Sequence, residues 1–314
     1  MKTQLIGRSS LVATRLAFGC WRLVRTWNPK EVTPAREAEG RRAVIAAYEA
    51  GYTFFDNADI YCAGVCESVL GQALGEVRGM RDRVVVATKC GIRVGGDPLP
   101  LSPGRYDFSF EHIVRSCEQS LKRLDIETID LYQLHRPDWL MDPAEVARAF
   151  DTLRSSGKVR EFGVSNFSPS QLSALRQACP MLLAVNQVEI HLGRFDSLYD
   201  GTLDQCLAET MTPLAWSPLG GGYLAAGGSV EWRNPRRKVL RGLLSAMDEI
   251  ASRLGVSRTV LALAWLLRHP SRIIPIVGTT DPARIRESVK ADEVDLSRED
   301  WYRLLVAARG EKLP

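Results

Sequence analysis

Short apolar runs rich in β-branched residues alternate along the chain with longer stretches in which apolar positions recur every three or four residues. The short runs read as strands at 16–18, 54–55, 84–88, 129–133, 159–164, 184–187, 212–216 and 273–276. The longer stretches read as amphipathic helices at 37–50, 68–76, 110–124, 143–156, 169–178, 203–209, 239–253, 258–269 and 282–289. Helix punctuation agrees with this division. A capping residue precedes proline at Asp142-Pro143, Ser168-Pro169 and Asp281-Pro282, and Gly51, Gly157 and Gly255 stand where helices should stop.

Eight strands alternating with helices, without a break in composition, predict parallel strands joined by right-handed crossovers. An open doubly wound sheet would alternate in the same way. Eight is the number that closes, so the expectation is an α/β fold, a (β/α)8 TIM barrel filling residues 1–314 as a single domain. Two helices rather than one fall between the seventh and eighth strands, which predicts an added helix. The first dozen residues are expected to form a hairpin closing the opposite end. Two Gly/Pro-rich stretches, 93–109 and 217–238, follow strands three and seven. On a barrel, such loops lie at the C-terminal face, where active sites are built.

Composition narrows the partners. Of 314 residues, 45% are hydrophobic and 25% charged, as in a soluble protein with a large core. The net charge of +4 is spread without a basic stripe, so nucleic acid is set aside as a partner. Seven cysteines are scattered and odd in number, and Cys62 and Cys66 lack the CxxC spacing of a redox or zinc pair. Free thiols in a reducing compartment and no metal are expected. The N-terminus leads into no long apolar core, and the longest apolar run, 261–267, is too short for a bilayer. The expected setting is cytoplasmic, away from membranes; oligomeric state is left open.

Four side chains carry the chemistry. Asp56 ends the second strand and Tyr61 follows on its loop; Lys89 ends the third strand and His135 the fourth. They supply a phenol, an ammonium, a carboxylate to hold the ammonium, and an imidazole. A free phenol titrates near 10 and is a poor acid at neutrality. A neighbouring ammonium is expected to lower that value, and the histidine to orient a carbonyl oxygen and share its developing charge. Each residue alone has an ordinary structural reading: a satisfied histidine, a surface lysine, a loop acceptor, a core aromatic. Their joint placement at one rim favours a site for delivering a proton to a carbonyl oxygen.

The Asp-x4-Tyr spacing, Thr88-Lys-x-Gly91, Leu134-His-Arg-Pro137, Gly163-Val-Ser-Asn-Phe167, Asn186-Gln-Val-Glu189 and Trp216-Ser-Pro-Leu-Gly220 resemble the aldo-keto reductase family. The resemblance runs over essentially the whole chain in the family's order. Ala58-Asp-Ile-Tyr61, His135-Arg-Pro-Asp138 and Ser156-Gly-Lys-Val-Arg160 look most like a bacterial branch of YdhF-type oxidoreductases. It implies a (β/α)8 barrel using NADPH (NADP+), with Asp56, Tyr61, Lys89 and His135 as the catalytic tetrad and Tyr61 as the acid. It also implies that Ser165, Asn166 and Gln187 bind the nicotinamide carboxamide, that Trp216 stacks on the ring, and that Glu287 and Ser288 approach the adenine. Two departures stand out: Trp216 replaces the tyrosine many members have, and Gly278 stands where some carry lysine.

Barrels commonly bind phosphate through the loops after strands seven and eight. Here these hold Ser217, Leu219 and Gly220, and Gly278, Thr279, Thr280 and Arg284. Thr279, Thr280 and backbone amides near the Pro282 helix start are placed for phosphate oxygens. Arg284 either forks onto a ribose 2′-phosphate or is a solvated helix charge. Gly220-Gly-Gly222-Tyr-Leu-Ala225 matches a dinucleotide fingerprint, but the irregular, basic 229–238 that follows supplies no βαβ unit, so the glycines read as a flexible cover. Trp21, Tyr61 and His135 are the expected substrate contacts. Trp27 and Tyr106 are weighed evenly between pocket wall and packing, and Arg136 between attraction of a polar or acidic substrate and a structural ion pair. The expected activity is reduction of aldehydes or ketones to alcohols. A nicotinamide-binding regulatory subunit that senses redox state is the alternative, and a barrel enzyme of phosphate sugars a weaker one.

Overall fold

The computed structural model describes residues 1–231 and 234–313. An antiparallel hairpin, β1 (Thr3–Leu5) and β2 (Val12–Thr14), precedes the barrel. Eight parallel strands then close in chain order: β3 (Ala17–Gly19), β4 (Phe54–Asp56), β5 (Val85–Cys90), β8 (Ile129–Leu134), β9 (Val159–Ser165), β10 (Leu183–Glu189), β11 (Thr212–Trp216) and β12 (Ile274–Val277). Around them run α1 (Pro34–Glu49), α2 (Val65–Glu76), α3 (Phe110–Leu124), α4 (Pro143–Ser155), α5 (Pro169–Ala178) and α6 (Thr202–Ala208). Then come α7 (Arg237–Leu254), α8 (Arg258–Leu267), α9 (Pro282–Val289) and α10 (Arg298–Arg309). The expected closure, the N-terminal hairpin and the extra helix between the last two barrel strands are all present.

Three differences have physical reasons. Several strands run a residue or two beyond the apolar run, into Asp56, Lys89-Cys90, Ser165 and Glu189. A polar side chain aimed into the barrel still leaves its backbone free to pair. The stretch 93–109, read as irregular, contains an antiparallel ribbon of β6 (Ile92–Arg93) and β7 (Arg105–Tyr106), tied by Arg93 to Asp97 and Asp107. Helix α10 was not anticipated; Trp301 stacks on Trp265 of α8 at 5.0 Å between centroids. Of the loop expected at 229–238, residues 232–233 lie outside the described residues, and α7 already begins at Arg237.

Strand alternation sorts the core. Phe55, Val86, Tyr132, Phe162 and Val164 point outward to the helices. Phe54, Val85, Ala87, Leu131, Val185 and Leu214 point inward, where Ile6 and Leu11 of the hairpin turn join them. Gly7, at φ +59, lets that turn lie against Ala184, where a side chain would collide with the backbone; its amide donates to Thr212 Oγ1 at 2.8 Å. The lower barrel is therefore apolar and sealed. Two residues further along the same strands come Asp56, Lys89, Gln133, Gln187 and Trp216.

Candidate active site

Strand alternation thus delivers a polar layer to the C-terminal end of the barrel. Lys89, fully buried, spends all three ammonium donors there: on Asp56 Oδ2 at 2.8 Å, the Asn57 carbonyl at 2.7 Å and the Tyr61 hydroxyl at 3.4 Å. Asp56 Oδ1 accepts from Gln187 Nε2 at 2.8 Å and Gln133 Nε2 at 3.4 Å. The Tyr61 and His135 rings meet edge-on, 5.8 Å between centroids. The structure thus brings together Asp56, Tyr61, Lys89 and His135. Gln133 escaped the reading of the sequence, although its place two residues before His135 puts it on the same interior face.

The protonation states follow from burial and charge. Burial alone would push Lys89 down, but the Asp56 charge and its hydrogen bonds more than offset this and hold the ammonium above its ordinary range. Tyr61 departs from expectation. Lys89 does pull its pKa down, yet burial raises it more, and the phenol ends above its usual value. Burial first, then the Lys89 and Arg136 charges, drive His135 well below the ordinary histidine range. The imidazole is neutral, and its buried Nδ1 has no hydrogen-bond partner among the described residues. An unpaired lone pair costs less than an unpaired N–H, which assigns the proton to Nε2.

Behind this layer, Glu67 of α2 accepts from Thr88 Oγ1 at 2.5 Å and from Arg123 Nε at 2.6 Å. Asp59, on the turn between Asp56 and Tyr61, has a buried carboxyl oxygen without a partner among the described residues. Burial, then the Glu67 charge, raise its pKa to about 8.

Aromatic walls line one side. Trp21 lies 5.6 Å from Trp27, and Trp27 meets Tyr61 edge-on at 6.3 Å. Trp27 thereby joins the site. Tyr106 pairs instead with Trp139 at 5.7 Å, and no aromatic contact joins it to Tyr61.

Across the site, Asn166 ties three strand ends together. Its Nδ2 donates to the His135 carbonyl at 3.1 Å and to Ser165 Oγ at 2.8 Å, and its Oδ1 accepts from Trp216 Nε1 at 3.0 Å. Ser165 Oγ donates to the Gln187 carbonyl at 2.8 Å. Gln187 uses its amide nitrogen on Asp56 and Gln133, leaving its Oε1 an acceptor without a partner among the described residues. An open acceptor beside an anchored indole suits a flat carboxamide-bearing ring.

The loops after β11 and β12 are more open. Ser217 and Gly220–Gly222 all have positive φ, and a Cβ at Gly221 or Gly222 would meet nothing. Among the described residues no α-helix follows until Arg237, in keeping with the rejection of the dinucleotide fingerprint. At α9 the Asp281 carboxylate already caps the amides of Ala283 and Arg284, at 2.8 and 3.2 Å, and those bonds hold its pKa low. Those two amides are therefore not free for an anion. Arg25 was missed by the sequence reading; it reaches over from the loop after β3 to Thr280 Oγ1 at 3.3 Å. Arg284 and Gly278 are exposed, and Glu287 partly so. Ser288 is buried, with its hydroxyl donated to the Arg284 carbonyl at 2.8 Å, so it is turned away from the surface where adenine was expected.

The sequence profile of the Aldo/keto reductase family matches residues 15–306. A 6-dehydroglucose reductase of Novosphingobium aromaticivorans is 42% identical over 98% of this chain and 96% of its own. The oxidoreductase YdhF of Escherichia coli is 38% identical over 96% of this chain and 95% of its own. Among solved structures, the glycerol dehydrogenase AKR11B4 from Gluconobacter oxydans superposes with a TM-score of 0.85 at 27% identity, covering 99% of this chain and 97% of that one. With an eight-stranded closed barrel, and reductase relatives matched almost end to end, the chain belongs to the aldo-keto reductase family and is a nicotinamide-dependent oxidoreductase.

Proposed function

We propose that this protein uses NADPH to reduce aldehyde or ketone carbonyls to alcohols, with Tyr61 as the proton donor. The observation that carries this reading is the Lys89 ammonium bridging Asp56 and the Tyr61 hydroxyl in a buried layer. When bound, the nicotinamide supplies hydride from C4 to the carbonyl carbon. Gln187 Oε1, Ser165, Asn166 and the Trp216 indole hold its ring, and His135 Nε2–H fixes the carbonyl oxygen.

Tyr61 is a phenol at neutral pH, as a free tyrosine is, and burial shifts its pKa further from neutrality. As the carbonyl oxygen takes on alkoxide character it becomes a stronger base than phenolate, so the proton moves downhill from Tyr61. Lys89, held charged by Asp56, then stabilises the phenolate. The preference for NADPH rests on the exposed Arg284 and on Arg25, which reaches Thr280 and also pairs with Glu39 at 3.5 Å, two cations suited to a 2′-phosphate.

The acting unit is the whole chain, 1–314, on a diffusing small-molecule carbonyl compound, apart from nucleic acid, membrane and metal. Seven free, buried thiols support a reducing, cytoplasmic setting. Among the described residues no single helix is long and apolar enough to cross a membrane, and no group of three metal-ligating side chains occurs. The names of the related 6-dehydroglucose reductase and glycerol dehydrogenase point to polyhydroxylated substrates.

Loss of NADPH absorbance with a panel of aldehydes tests the activity. Tyr61→Phe should cost about 10²–10⁴ in kcat while NADPH still quenches tryptophan fluorescence. Turnover by that variant at the parent's rate would remove Tyr61 from the role.

A further inference from the structure

Several carboxylates on the loops around His135 are committed to cations, yet the cation next to His135 has none of them. Asp56 holds Lys89, Asp107 holds Arg93, and Glu189 holds Arg194. Asp138, the acid nearest Arg136 in sequence, gives both oxygens to backbone, accepting from the amides of Phe108 at 2.9 Å and Leu140 at 3.0 Å. Arg136 is left half-buried, with no ion pair or side-chain hydrogen bond among the described residues. Its guanidinium lies over the Trp216 ring, 5.5 Å from the centroid. The structural ion pair allowed by the sequence is therefore not made.

Position decides what such a group is for. Arg136 is covalently next to His135, and its charge helps keep that imidazole neutral, after burial and Lys89. The cation–π contact holds the guanidinium over Trp216, itself pinned by Asn166 Oδ1, and no acceptor among the described residues takes its N–H groups. A pre-oriented fork of N–H donors, short of acceptors and one residue from the imidazole, suits two neighbouring oxygen atoms.

We propose that Arg136 is a substrate-specificity residue, whose guanidinium takes a pair of oxygen atoms on the substrate a few bonds from the reacting carbonyl. The selected substrates are oxygen-rich aldehydes and ketones, in which adjacent hydroxyls or a carboxylate supply the pair. The assignment rests on the reductase reading. It adds to that reading the reason for choosing an oxygenated carbonyl compound over a hydrocarbon one: a site built to donate loses binding when its donors meet nothing.

The test compares kcat and KM for benzaldehyde, 4-carboxybenzaldehyde and glyceraldehyde in the full-length parent and in Arg136→Leu, Arg136→Gln and Arg136→Lys. In Arg136→Leu the kcat/KM of an oxygen-bearing substrate relative to benzaldehyde should fall about ten- to hundredfold, mostly through KM. Arg136→Gln carries the same comparison if the leucine variant misfolds. Arg136→Lys should recover part of the carboxylate preference, which needs only charge, and little of the diol preference, which needs the fork. A fall confined to 4-carboxybenzaldehyde identifies an anionic substituent, and one confined to glyceraldehyde identifies neutral hydroxyls. Relative values that stay within about twofold in an active variant overturn the assignment of Arg136 alone. So does an equal loss of kcat on all three substrates, which would make Arg136 a support for Trp216 and His135. A parent inert towards all three brings down the reductase reading, and this assignment with it.

Discussion

The polar layer around Lys89 and the loop that opens α9 face the same end of the barrel, yet they are built in opposite ways. At Lys89 every donor has an acceptor, the charges are buried, and the groups come from strands that cannot move independently. At α9 the cations Arg25 and Arg284 are exposed, and the loop holds itself together through its own Asp281 cap. The proposed chemistry needs atoms held within a fraction of an ångström, which suits a layer where packing and hydrogen bonds over-determine each side chain. Holding a phosphate needs only charge within reach. Damage to the first region should therefore appear in stability and turnover together, and damage to the second in cofactor affinity alone.

The sharpest way to break this contrast is Lys89→Met. It keeps the volume but strips Asp56 of its counter-charge and leaves the Asn57 carbonyl unpaired, so unfolding by urea should show a loss of about 3–5 kcal/mol alongside lost turnover. A cost below about 1 kcal/mol would mean that the buried charges are not coupled as their distances suggest. Next, Arg284→Ala should raise the KM for NADPH about tenfold with little change for NADH or in thermal stability, the signature of one lost phosphate contact. Gly278→Lys should do the reverse by a few-fold, since φ there is ordinary and a side chain would meet nothing within 4 Å. Equal effects on both cofactors would remove the 2′-phosphate from that loop.

The smallest effect is on pH dependence. Unfolded histidine titrates near 6.5, whereas folded His135 resists protonation, as do His112 and His269, all chiefly through burial. Below about pH 6.5 the unfolded chain takes up protons that the fold refuses. Stability should therefore fall with pH, by at most about 1.4 kcal/mol per unit for each histidine. Comparing urea midpoints at pH 7.5 and 5.5 should show a smaller drop in His135→Gln than in the parent. An identical drop would place the acid sensitivity elsewhere. No exposed group on the α9 loop should contribute comparably.

How much could be read in advance follows the same division. Short apolar runs located the eight barrel strands and the period-3.6 pattern nine of the ten α-helices among the described residues, because a strand buried on both faces is apolar throughout and a covering helix cannot hide its apolar face. The gathering of Asp56, Tyr61, Lys89 and His135 was legible because three of them stand at the ends of consecutive strands and Tyr61 follows the first. Gln133 was not recognised, for an amide inside an apolar run carries no mark of its partner until the register sets it beside Asp56. The two-residue strands β6 and β7 are too short for any period. Helix α10 lies beyond the strand–helix alternation, and nothing in that alternation calls for it. The raised pKa of Tyr61 depends on how much water the fold excludes, which residue order does not reveal.

The hairpin turn at Ile6 and Leu11 plugs the floor of the barrel, which leaves the C-terminal rim as the way to the polar layer. Traffic through one opening forms a queue. On the proposed reading, a nicotinamide seated against Trp216 and Gln187 would arrive before the carbonyl compound covers it and depart after the alcohol has gone.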